Sequence, residues 1–285
     1  MDELKCKQML DRFLTFYDKA SLENASPERR FELWKHYYGF TFVPPGYKKD
    51  QLAREMLDYA WDKYSLVYDK IKYFEPDPIK LSEVLSKVKQ MLHVTKPIDL
   101  TVLYFVGTFE TEPFIQQENE RYTLCFPVEV DWSDYKLVQE LTRVVHCVKS
   151  GLAPSHTRTL AQLVFQEGIA LHTTQQLKAS EENAEIELLW KHEKCSKEPN
   201  RIMMNLIPHL KRTDYEALYS FTKGTGASGY EKEANFAGWI LMQHLLDQGN
   251  RLNDLAAIPK ENVDKFVEKS LYLLLNRAYL TQPQD

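Results

Sequence analysis

The strongest constraint lies between Tyr135 and Leu177, where two long helical patterns flank the turn Gly151-Leu152-Ala153-Pro154-Ser155. In the second pattern, at about 100° per residue, Glu167 shares a face with Leu160, Leu163, Val164, Ala170 and Leu171. The opposite face holds Ala161, Phe165 and Ile169, so the helix is apolar on both sides and reads as central. A carboxylate inside such a helix has to meet a cation or remain protonated, because an unpaired buried charge is too costly.

The rest of the chain must supply the setting for that pair. Ten glycines in 285 residues, with many Leu, Lys, Glu and Gln, favour a mainly helical protein. The formal charge of -5 and the lack of a long basic run argue against nucleic acid as a partner. No apolar run reaches the roughly 20 residues of a membrane span, so no membrane segment is expected. Cys6, Cys125, Cys147 and Cys195 show no C-x-x-C spacing, and the first residues lack the basic and apolar regions of a secretory signal. Free thiols and a cytoplasmic location are the expectation.

Taken in order, residues 3–19 predict an amphipathic helix through Leu4, Met9, Phe13, Leu14 and Tyr17. Ser26-Pro27-Glu28 is a helix start, and that helix runs to about Tyr38. A loop follows to Tyr47, then a long helix from about Asp50 that Pro76 and Pro78 stop, and another over 81–92. At Pro97 the texture becomes β-rich. Ile98 to Gly107, a short arm within Phe114 to Glu120, and Tyr122 to Val130 predict about three strands. Pro127 cannot donate to a central ladder, so the last of these reads as an edge strand, or as a strand that ends there. After the central pair, helices are expected near 182–193, 199–211, 213–222, 230–248 and 261–279. The glycines of Lys223 to Gly229 lack phosphate-loop spacing, and no strand precedes them. The reading is an α+β protein, mainly α-helical, with an amino-terminal helical region at 1–96 and a second region at 97–285. One continuous fold across both is the alternative reading.

On the first central helix, Gln139, Arg143 and His146 form one stripe, with Glu140 and Cys147 at its edge. The order of a sheet, then Gln139-Glu140-Leu141-Thr142-Arg143, then Glu167-Gly168-Ile169-Ala170, resembles gluzincin-type metallopeptidases. It is most similar to the bacterial family of zinc-dependent proteases with a zincin-like domain. There the pattern is a His-Glu-x-x-His helix followed by a helix bearing Glu-Gly-x-Ala, whose glutamate is the third zinc ligand. Phe236-Ala237-Gly238-Trp239-Ile240 is similar to that family's Gly-Tyr-containing carboxy-terminal helix. The resemblance runs from about Pro97 to Phe266 and implies a zincin-like core with a small mixed or antiparallel sheet beside two central helices.

The resemblance places Gln139 and Arg143 at the two histidine positions, Glu140 at the catalytic glutamate and Glu167 at the third ligand. Glutamine is a poor zinc ligand and arginine stays protonated, so two of three ligands are gone and no metal is expected. Trp239 stands where the family's tyrosine would offer a hydrogen bond. The expected replacement for the metal is Arg143, its guanidinium between Glu140 and Glu167.

Two enzymatic alternatives stay open. One is a shifted metal site built from His146 and His172 with Cys147 or His156. The other is metal-free catalysis with Glu140 as general base and His146 as its helper. The remaining reading is a metallopeptidase-like protein, no longer hydrolysing with zinc. Its cleft would hold an extended peptide or partner segment along the edge strand near Tyr122 to Val128.

Overall fold

The computed structural model describes residues 2–41, 48–154, 158–178 and 195–280. Two compact units divide the chain: Met1–Ser82 with Pro97–Ser133, and Glu83–Lys96 with Asp134–Asp285. The first therefore joins the amino-terminal helices to the sheet that follows Pro97.

Its sheet has the order β1-β2-β4-β3, from β1 (Glu3–Gln8), β2 (Asp99–Phe105), β3 (Phe114–Glu118) and β4 (Arg121–Pro127). The pairs β1–β2 and β2–β4 are parallel, and β3–β4 is antiparallel. Two expectations are corrected here. Residues 3–8 are a strand and not the start of a helix. Leu4 and Cys6 alternate with lysines and pair in register with Leu100 and Val102. The helix-like spacing of Leu4 with Met9 and Phe13 hid that two-residue period. The second concerns β4, which is not an edge but internal, with β2 on one side and β3 on the other, whereas the alternative expectation, a strand that ends at Pro127, is met. Pro127 is tolerated because β3 pairs only with Arg121 to Cys125, so no ladder bond is asked of the proline on that side. The edges are β1 and β3.

Four helices complete this part of the chain: α1 (Leu10–Leu22), α2 (Pro27–Tyr37), α3 (Lys49–Lys72) and α4 (Pro78–Met91), the last ending in the second unit. Ser26 caps α2 by accepting from the Arg29 amide, with Pro27 at the first helical position. Phe13 packs edge-on against Tyr38 and Tyr64 at 5.4 and 4.8 Å. Both tyrosine hydroxyls then reach the turn after β2: Tyr38 bonds both backbone groups of Val106, and Tyr64 donates to the Gly107 carbonyl. Glu129 closes the same turn by accepting from Gly107 and Phe109 amides at 2.8 and 3.2 Å. Burial pushes its carboxyl above the ordinary 4.5, and those amides offset only part of the rise.

The second unit is helical among its described residues: α5 (Asp134–Ser150), α6 (Leu160–Lys178), α7 (Pro199–Leu206), α8 (Tyr215–Thr222), α9 (Glu233–Asp247), α10 (Leu252–Leu255) and α11 (Lys260–Leu280). The helix expected near 182–193 lies outside the described residues. Pro208 has no amide to continue α7, and a 3₁₀ turn over Ile207–His209 follows. The expected start of α9 at residue 230 moves to Glu233. Gly229 and Lys232 both take left-handed backbone, and the Glu233 carboxylate accepts from Ser228 and Tyr230 amides. Helix α6 is buried on both faces as its sequence demands, with α5, α9 and α11 packed around it. No helix is long and apolar enough to cross a membrane among the described residues.

Candidate functional site

Glu167 meets its cation. Arg143 Nε donates to Glu167 Oε1 at 2.9 Å and Nη2 donates to Oε2 at 2.7 Å, a two-bond fork. The third guanidinium nitrogen, Nη1, donates to Glu140 Oε1 at 2.5 Å. Lys136, one turn before Glu140, places Nζ 3.2 Å from the same Oε1. The carboxylate side chains are 3% (Glu140) and 10% (Glu167) exposed, so neither is neutralised by solvent. Two carboxylates and two cations balance inside the α5–α6 pair.

Local sequence explains how α5 does this. Lys136, Glu140 and Arg143 lie at spacings of four and three, so they stack along one helix face. The antiparallel return through Gly151, which has φ +74° and closes α5 with a bond from its amide to Cys147, brings α6 back alongside.

A second approach comes from α9. Asn235 Nδ2 donates to Glu167 Oε2 at 2.9 Å. That bond depends on two glycines at the α6–α9 crossing. A Cβ on Gly168 would lie 2.4 Å from the Gly238 carbonyl oxygen, and one on Gly238 would lie 2.2 Å from the Val164 carbonyl oxygen. The glycine of Glu167-Gly168 is therefore what lets a neighbouring helix reach the carboxylate beside it. One turn further along, His172 stacks on Trp239 at 4.0 Å, and its Nε2 sits 3.1 Å from the Trp239 carbonyl.

Burial opposes ionisation of Glu167. The charge of Arg143 and its hydrogen bonds, helped by Lys136 and Arg158, more than offset it and hold the carboxyl below the ordinary 4.5.

The remaining expected residues separate. Gln139 is half-buried and takes no part in the network. His146 is fully buried, with Nδ1 3.5 Å from Gln166 Nε2 and, among the described residues, no partner on Nε2. No hydrogen bond joins it to Glu140, so the structure does not bring together the base and helper of the metal-free alternative. His146 and His172 are likewise held by different neighbours, and His156 lies outside the described residues. Among the described residues, no three or more His, Cys, Asp and Glu side chains are grouped as a metal would require.

Burial, with Arg158 and Lys149 nearby, pulls the His146 pKa down to about 3. Between 6.5 and that value the unfolded chain binds a proton that the folded one refuses, so stability falls as pH falls through this window. Urea unfolding measured at steps of pH should show that slope, and His146→Gln should reduce it. An unchanged slope in the variant would remove His146 as its source.

Lys136, Asn235, Gln166 and Arg158 escaped the sequence reading. Lys136 had a signal, its spacing of four before Glu140. Asn235 had none, being 68 residues from Glu167. Arg158 donates to the Gln166 side-chain oxygen from the loop before α6. Comparison with protein-family models, curated proteins and solved structures finds no match for the chain.

Proposed function

We propose that this chain is a metallopeptidase-like protein with a zincin-like core, in which an arginine replaces the metal and zinc-dependent hydrolysis is lost. The observation that carries this is the fork of Arg143 on both oxygens of Glu167 while its third nitrogen holds Glu140. Those two acids stand where the resembled family has its third ligand and its catalytic base. The side chains at these positions do not suit zinc. Arg143 is a cation with no lone pair to offer, and both Glu167 oxygens already accept from it.

The retained activity in this reading is capture of an extended peptide or partner segment by strand addition. Of the two sheet edges, β1 is blunted by Glu3, Lys5 and Lys7, whereas β3 presents Phe114, Ile115, Gln116 and Gln117 before its single acid, Glu118. The partner strand is therefore assigned to β3, in place of the Tyr122 to Val128 stretch. A hydrolase using Glu140 with His146 draws no support from their separation.

The test is back-substitution. Gln139→His combined with Arg143→His restores two imidazoles one turn apart facing Glu167. Purified without an affinity tag and titrated calorimetrically, the double variant should take up one zinc per chain and the parent none. Failure of a folded double variant to bind would remove the inherited ligand geometry. Stoichiometric zinc in the parent would overturn the replacement of metal by arginine.

A further inference from the structure

Arg158 stands two residues before α6, and its guanidinium is held at one end. Nη1 donates to Gln166 Oε1, whereas Nε is buried and, among the described residues, has no hydrogen-bond partner. Gln166 is braced in turn. Its Nε2 donates to the Arg143 carbonyl and to Cys147 Sγ, both at 3.4 Å, and lies 3.5 Å from His146 Nδ1. With Nη1 fixed in this way, the Nε–Nη2 edge of Arg158 is the part of the group left for another acceptor.

The chain itself shows what such an edge fits. Arg143 uses the same two nitrogens on Glu167, Nε to Oε1 at 2.9 Å and Nη2 to Oε2 at 2.7 Å, and keeps Nη1 for Glu140. Arg158 repeats that division, with Gln166 in the place of Glu140 and, among the described residues, no carboxylate on the fork. The neighbouring acids are already engaged: both Glu167 oxygens accept from Arg143, and Glu140 Oε1 accepts from Arg143 and Lys136. Cys147 supplies little negative charge, because burial pushes its thiol up. The first amides of α6 are used as well. Leu160 and Ala161 donate to the Arg212 and Leu210 carbonyls, and Gln162 donates to Thr159 Oγ1, so an incoming anion would depend on the guanidinium. Burial pulls the Arg158 pKa down, and the nearby acids offset only part of the fall.

We propose that Arg158 anchors a binding site for a small monocarboxylate, whose two oxygens accept from Nε and Nη2 while Gln166 holds the guanidinium in place. A buried guanidinium without an anion is costly, and a carboxylate matches its fork in both geometry and charge. One cation neutralises one negative charge, so a dianion such as phosphate would bring a surplus charge into apolar surroundings. Arg158 as a residue is only half-buried, which puts the edge within reach of a small solute. The site is distinct from the Arg143 fork and does not depend on the metallopeptidase reading. One fork on a mobile ligand is a modest contact, so the dissociation constant for acetate should be on the order of 1 mM.

Nuclear magnetic resonance on the full chain labelled with ¹⁵N-arginine tests this. The Arg158 Nε–H resonance is identified by its loss in Arg158→Lys or Arg158→Gln, and sodium acetate is titrated to about 50 mM against sodium chloride at equal ionic strength. The Arg158 resonance should move saturably with acetate and not with chloride, while that of Arg143, whose fork is occupied, stays in place. In thermal unfolding, acetate should raise the Tm of the parent, and Arg158→Lys should need at least about tenfold more acetate for the same rise, because an ammonium keeps the charge and loses the fork. An Arg158 resonance that does not move, or moves equally with chloride, overturns the proposal, and the parent alone decides this if Arg158→Lys does not fold. Phosphate that binds more tightly than acetate rejects the monocarboxylate as the ligand class.

Discussion

Replacing Arg143 by methionine should cost about 3–5 kcal/mol of stability, because it leaves Glu167 and Glu140 buried beside too little positive charge. Lys136 pairs with Glu140, and among the described residues Glu167 keeps the Asn235 amide as a direct donor. In thermal unfolding the loss should appear as a drop on the order of 10 °C. Arg143→Lys should fall between, since an ammonium keeps the charge and loses the fork. The sharper comparison is the triple variant Glu140→Gln, Arg143→Met, Glu167→Gln. Of the four charges this leaves only Lys136, 16% exposed, and it lifts most of the desolvation penalty along with the attraction, so it should be less damaging than Arg143→Met alone.

The pH dependence of that deficit has a definite sign. Glu167 is held below its ordinary pKa in the parent, so its ionised pairing stabilises the fold above about 4.5 and is lost as pH falls through the lower folded value. Without Arg143 the buried carboxyl instead favours its protonated form. The gap between parent and Arg143→Met should therefore be full near neutrality and narrow in acid. Urea melts at pH 7 and pH 4 measure it; a deficit below about 1 kcal/mol at pH 7 would contradict the assignment of Arg143 as the internal cation.

Gly238→Ala should be the other severe substitution, costing about 3 kcal/mol or more. Its new methyl would stand 2.2 Å from the Val164 carbonyl oxygen, and backbone in the middle of α6 cannot yield as a flexible side chain would. The helices must separate, and the Asn235 bond to Glu167 stretches with them. Gly168→Ala should behave alike, its methyl meeting the Gly238 carbonyl at 2.4 Å. Gly224→Ala is the control, because its nearest neighbours lie at an ordinary 3.4 Å. Chemical denaturation of the three side by side gives the result: equal, small losses would mean the crossing is loose and the glycines are incidental.

The sequence by itself determined the helix pair and its internal ion. A carboxylate on a helix apolar all round, opposite an arginine three residues after a second carboxylate, leaves few arrangements that avoid an unpaired buried charge. The short Gly151 turn forces those helices side by side, so the pairing is local in effect although it spans 24 residues. Most helix positions were legible for the same reason, since amphipathic periodicity and proline stops act within a few residues.

Only tertiary structure decided the rest. Residues 3–8 become a strand because β2, 96 residues away, offers a parallel ladder that local periodicity does not announce. β4 is internal because β3 folds back antiparallel on its far side. His146 shares a stripe with Arg143 when counted along α5, yet it ends fully buried against Gln166 and apart from Glu140. Asn235 reaches Glu167 because two glycines on separate helices let their backbones touch. Helical spacing states which residues share a face, whereas what that face meets depends on contacts between distant segments.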